Sequence, residues 1–240
     1  MKYIYGHDYG ELLIGRLYDN NRIYGYGGDD DIYGGIYADT IYGGSGWDIV
    51  FGDSGNDKIY GNDGPDEIYG EAGNDKIDGD DGADLIFGGS GNDRISGGDG
   101  NDDLYGNGGN DLIVGGSDWD LIGGDAGRDT LEGGSGDDFI EGGSGNDVIW
   151  GGSGDDDLFG DAGFDTFEFG DGDDFDIIGD FTLDEDAILL DLVGINTFSD
   201  VKDFMYRDGY DTVLDFYNGD TLLIENVLPR EWIASDFIIV

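Results

Sequence analysis

GGSGNDVIWGGSGDDDLFG, residues 142–160, repeats itself after nine residues. Gly142 to Trp150 runs through a glycine pair, a third glycine, an aspartate and three residues of strand character; Gly151 to Phe159 runs through the same order. With position 1 set at Gly25, a nine-residue frame holds without a slip to Glu168. Position 1 is glycine in all sixteen copies, Gly25 to Gly160, and position 4 is glycine except at Tyr37 and Asp118. Position 8 is aliphatic from Ile32 to Leu158, then Phe167. Position 6 is aspartate at Asp30, Asp39, Asp48, Asp57, Asp66, Asp75, Asp84, Asp93, Asp102, Asp111, Asp120, Asp129, Asp138, Asp147, Asp156, Asp165 and Asp174.

Each position has a physical reason. Glycine supplies positive φ angles and close backbone approach in a tight turn. Three residues such as Val148-Ile149-Trp150 make a short strand whose middle side chain points inward. A fixed short period is the mark of a solenoid. The expected fold is all-β: a right-handed parallel β-roll with two repeats per coil. Only one residue in nine is reliably buried, so aliphatic burial alone cannot offset the ordering entropy of so much glycine.

The chain carries 57 acidic residues against 10 basic ones, a net charge of −47 over 240 residues. Repulsion argues against nucleic acid and anionic lipid as partners. Such acidity is common in disordered chains, but 38% hydrophobic and 13% aromatic residues are too many for one. There is no cysteine, which excludes disulfides and thiolate metal sites. No 18-residue apolar run argues for membrane insertion, and MKYIYGHDYG lacks the apolar core of a cleavable signal peptide.

Aspartates nine apart alternate between the two sides of a coil. Aspartates 18 apart then stack on one side, about 4.8 Å from their neighbours. Carboxylates that close repel unless a cation lies between them. A hard ion taking six to eight oxygens fits two carboxylates plus turn carbonyls; zinc would want histidines or cysteines, and this chain has one histidine and no cysteine. Calcium is the expected cofactor.

The nonapeptide GGxGxDxUx resembles that of the RTX family, as full copies at Gly43–Phe51, Gly88–Ser96, Gly97–Tyr105, Gly133–Glu141, Gly142–Trp150 and Gly151–Phe159. The resemblance implies ions held between loops 18 residues apart, by the aspartates and by turn carbonyls. Those carbonyls include Gly43, Gly52, Gly61, Gly70, Gly79, Gly88, Gly97, Gly106, Gly124, Gly133, Gly142, Gly151 and Gly160. Asp48 would pair with Asp66, Asp57 with Asp75, and so on. Seventeen aspartates in two columns give at most about fifteen Ca2+ ions. The loops at Tyr37 and Asp118 depart from the pattern. Folding and metal binding would be one event.

Residues 1–24 read as degenerate N-terminal capping coils, a degraded copy of the repeat, with Ile4, Leu13 and Ile23 near repeat spacing and the lone His7 on their surface. Residues 25–174 form the roll. Residues 175–240 read as a β-rich C-terminal cap, with a helix starting near Thr197 and a hairpin around Asn218-Gly219. This last segment resembles the C-terminal region of serralysin-type secreted proteins. The resemblance makes Asp236-Phe237-Ile238-Ile239-Val240 an uncleaved signal for type I secretion machinery, and the protein secreted and extracellular; deleting these five residues is expected to spare most calcium-driven folding. A plain edge strand is the simpler account of the same five residues.

No enzyme is evident. One histidine excludes His-Glu-x-x-His, and neither a nucleophile elbow nor a phosphate loop occurs. The chain reads as a non-catalytic structural or secretion module, alone or beside an attached catalytic domain. The alternative is a binding face. Tyr33, Phe51, Tyr69, Phe87 and Tyr105 recur at position 9 on one sheet and form an outward ladder. Such a face could serve a catalytic domain, another copy, or a polysaccharide stacking on the rings. The ladder equally suits ordinary cross-strand packing. Ice binding is disfavoured because position 3 is never threonine.

Overall fold

The computed structural model describes residues 1–216, 219–229 and 231–240. Successive strands alternate between two sheets, one of 12 strands and one of 13. This is a parallel β-solenoid, as the nine-residue period requires. Register advances by one coil: Ile41 lies beside Ile59, Ile59 beside Ile77, and Ile86 beside Leu104. The position 8 side chains from Ile32 to Phe167 are all buried, come alternately from the two sheets and form one core between them.

The turns explain which residues tolerate position 2. Asp53, Asn62, Glu71, Asp80, Asn107, Asp125 and Asp161 occupy it with φ between 61 and 74°. Asn and Asp enter this left-handed region more readily than other non-glycine residues. Asp118, which replaces a position 4 glycine, keeps a φ of 75° and so preserves the turn. At other copies of position 4 glycine is needed for space as well, since a Cβ on Gly73 would overlap the Gly55 carbonyl.

The N-terminal residues form a coil, as their degenerate repeat spacing implies. Lys2–Tyr5 pairs with Asn21–Gly27, and Leu12–Ile14 with Asp31–Gly35. Both occupy the first place in their sheets. The first 24 residues are thus a further coil of the roll, 19 residues long by the pairing of Ile4 with Ile23. They do not cover its end: Leu12, Ile14 and Leu17 are exposed.

The roll also runs past residue 174. Phe175–Ile178 pairs parallel with Asp157–Phe159, and Ala187–Asp191 with Thr166–Gly170. Thr221–Ile224 and Phe237–Ile239 then add one more parallel strand to each sheet. Among the described residues, antiparallel pairing is confined to Met205–Asp208, Asp211–Asp215 and Thr221–Ile224. The hairpin strands flank Tyr217 and Asn218, which lie outside the described residues. The short helix is Phe198–Val201, capped by Thr197.

Aromatic packing makes the C-terminal core thicker than the roll. Trp232 lies 5.0 Å from both Phe181 and Phe237, and Phe216 lies 5.7 Å from Phe169. Trp232 Nε1 donates to Thr212 Oγ1 at 2.9 Å, and Thr212 Oγ1 donates to the Val227 carbonyl at 2.7 Å.

Candidate metal centre

Sixteen position 6 aspartates, Asp30 to Asp165, are at most 3% exposed. They form two columns, one on each side of the roll. In each, Oδ1 accepts the main-chain N–H one coil earlier. Asp48 N–H donates to Asp66 Oδ1, and Asp66 N–H to Asp84 Oδ1, at 2.8 and 2.7 Å. The strand of each coil follows directly on its aspartate, so the ladder that sets the register also sets the carboxylates.

Asp174 stands outside these columns, exposed, with a φ of 59°. Two extra residues after Asp165 shift the next coil. Asp176 takes the expected place and accepts the Asp156 N–H at 3.1 Å. Asp186 follows Asp165 in the other column and accepts its N–H at 3.0 Å. Neither could be found from a fixed nine-residue frame.

The second carboxylate oxygen is the decisive feature. Oδ2 of all sixteen aspartates, and of Asp176, is buried without a hydrogen-bond donor. Burial pushes the carboxyls up, the main-chain N–H groups partly offset it, and neighbouring carboxylates raise them further. Asp57 and Asp102 reach about 7, and Asp66 and Asp120 about 8. A buried acceptor that lacks a donor is costly, and a buried charge more so.

Glycine carbonyls complete the arrangement. A Cβ on Gly43 would lie 2.6 Å from Asp48 Oδ2 and 2.7 Å from the Gly61 carbonyl oxygen. The missing side chain leaves space where these oxygens converge. The same relation places each of the thirteen glycine carbonyls named above against the preceding coil, and Gly25, Gly34 and Gly115 as well. The loop at Asp118 thus keeps its carbonyl. Among the described residues no three carboxylate or imidazole side chains form a metal cluster. An ion here must draw on main-chain oxygens, which suits calcium.

The columns start differently. Glu11 N–H donates to Asp30 Oδ1 at 2.7 Å, and Glu11 Oε1 contacts His7 Nδ1 at 2.7 Å. Asn21 is the first member of the other column. Stepping the frame back nine residues from Asp30 reaches Asn21, but Arg16 then stands at position 1, which hides the match.

The ladder of Tyr33, Phe51, Tyr69, Phe87 and Tyr105 is present, with rings stacked 4.9 to 5.2 Å apart and interplanar angles of 5 to 12°. Each inner ring spends both faces on its neighbours. A sugar needs a ring face for stacking, so these rings offer it edges only. The final strand, Phe237–Ile239, lies beside Ala187–Asp191. Asp236 is buried and accepts the Ile233 N–H at 2.7 Å. Deleting Asp236–Val240 would remove buried Phe237 too, so these residues are not separable from folding.

These features define a parallel β-solenoid with paired columns of carboxylates suited to a hard cation. The chain belongs to the RTX calcium-binding nonapeptide repeat family, whose model matches residues 17–36, 24–59, 60–95, 96–131 and 132–167. Calcium is the ion bound by the repeats of that family. No curated protein matches the chain by sequence. Among solved structures it is similar to the extracellular lipase LipA from Serratia marcescens, at 16% identity and a TM-score of 0.35. That match covers 92% of this chain and 45% of the lipase, so the chain spans less than half the length of that protein. It is also similar to a hyperactive, Ca2+-dependent, β-helical antifreeze protein from an Antarctic bacterium. There the identity is 20%, the TM-score 0.41, and the coverage 77% of this chain and 78% of that one.

Proposed function

We propose that the chain is a non-catalytic, secreted module whose folding and calcium binding are a single event. One observation carries this: seventeen buried carboxylate oxygens have no donor. Nine lie in one column and eight in the other, which leaves fifteen gaps for ions. A divalent ion in each gap would satisfy those oxygens and offset much of the −47 charge. Far-UV circular dichroism tests this. The protein should be mostly coil in chelator and gain strand on adding millimolar-range calcium. Strand content indifferent to chelator would refute the coupling.

Export by a type I route completes the proposal, with Asp236–Val240 as its address. Ile238 and Val240 are 42 and 67% exposed, so they can be changed without emptying the core. Replacing both by serine should lower export through type I machinery and leave the calcium titration unchanged. Undiminished export would rule out this apolar terminus as the address.

A further inference from the structure

Asn21 breaks the rule of its column. It is 1% exposed, but its side chain is fully partnered. Oδ1 accepts the Arg16 N–H at 3.1 Å, which fixes the orientation of the amide. Nδ2 then faces four oxygens: the carbonyls of Arg16, Asp19 and Gly34 at 3.3, 3.0 and 3.1 Å, and Asp39 Oδ1 at 3.0 Å. The main-chain N–H of Asn21 also donates to Asp39 Oδ1.

These four oxygens occupy telling places in the repeat. Arg16 and Asp19 stand at positions 1 and 4 of the first loop. Gly34 and Asp39 stand at positions 1 and 6 of the next loop on that side. In later coils the equivalent oxygens meet no side-chain amide, and the aspartate there leaves an oxygen without a donor. Two amide protons shared among four acceptors supply here the positive edge that a cation would supply elsewhere. The far end of the same column is closed in a similar way. Asp186 accepts from Asp165 N–H through Oδ1 and from Thr182 N–H through Oδ2, at 3.0 and 2.7 Å, and it is absent from the set of orphaned carboxylates.

We infer that Asn21 is a built-in replacement for a calcium ion. It ends the ion column, and the gap between loops 16–21 and 34–39 holds no metal. The first turn on that side closes by hydrogen bonds alone. This inference rests on the calcium reading of the columns, but it assigns one gap the opposite property.

Native mass spectrometry of the full chain at saturating calcium counts the ions. Asn21→Asp restores the carboxylate and should hold one ion more than the unmutated protein. Asn21→Ala should hold the same number as the unmutated protein and need more calcium to fold, because four oxygens lose the side-chain amide they share, and Asp39 Oδ1 and the Arg16 carbonyl keep only a main-chain N–H. One ion fewer in Asn21→Ala would show that Asn21 is a ligand and overturn the inference. An unchanged count in folded Asn21→Asp would overturn it as well. If Asn21→Asp does not fold, the count for Asn21→Ala decides alone. An unmutated chain that binds no calcium would overturn the calcium reading itself, and this inference with it.

Discussion

A carboxylate that is half satisfied governs how the metal-free roll responds to acid. An aspartate in an unfolded chain titrates near about 3.9. In the roll, Asp48, Asp75 and Asp84 reach about 6, and Asp111 about 7, chiefly through burial. The folded form binds protons more tightly than the unfolded one, so its stability without metal falls as pH rises. The loss begins above the unfolded value and continues as pH rises through the folded values of about 6 to 8, with Asp176 raised further still by its burial. In chelator, strand content should grow as pH falls from 8 toward 5. With calcium present the trend should reverse, because protons compete for the carboxylates. A calcium-free spectrum that does not change over this interval would contradict the burial of these oxygens. At this scale most of the site was legible: sixteen aspartates obey a fixed frame. What escaped was where the backbone changes step. Asp176 and Asp186 sit two and three residues beyond their slots, and Asn21 performs a cation's task with a neutral side chain.

Strands in this molecule are stabilised unequally. Within the repeats each adds one inward aliphatic residue, whereas the C-terminal strands surround a cluster of aromatic rings. Trp232 is 4% exposed and touches two other rings. Trp232→Ala should cost about 3–5 kcal/mol, as truncation of a large core aromatic does. A calcium titration followed by Tm would register this as a higher midpoint and a lower Tm. The exposed Trp47, 52% accessible, is the control. Equal effects from the two alanine substitutions would deny the cluster its role. The repeat strands could be read from period alone, because one face must be buried in each. The strands after residue 174 could not, because parallel addition of Thr221–Ile224 and Phe237–Ile239 depends on contacts with distant segments. The sequence implies a single hairpin in this region, and among the described residues antiparallel pairing joins Met205–Asp208, Asp211–Asp215 and Thr221–Ile224.

Taken whole, the molecule has one thick end and one open end. The C-terminal region continues both sheets and packs an aromatic core beneath them, so it should seed the coils that precede it. Residues 1–174 alone keep sixteen of the seventeen donor-less carboxylates but lose the seed. They should fail to gain strand at calcium levels that fold the full chain. Normal folding of 1–174 would show that any coil can start the process, as in an ideal linear repeat. The backward reach of each aspartate gives this process a direction. Every carboxylate binds the N–H of the coil before it, never the coil after. A partly built roll would thus show two unlike faces: Oδ1 oxygens awaiting an N–H toward the N-terminus, and main-chain N–H groups awaiting an Oδ1, beside the Oδ2 oxygens, toward the C-terminus. The first face, with no N–H on its Oδ1 oxygens, attracts calcium more strongly than the second before any new coil arrives. Growth toward the N-terminus adds each coil to a surface already charged with its metal, much as one face of a polar crystal outgrows the other. A chain delivered C-terminus first would meet its own fast-growing face at every step.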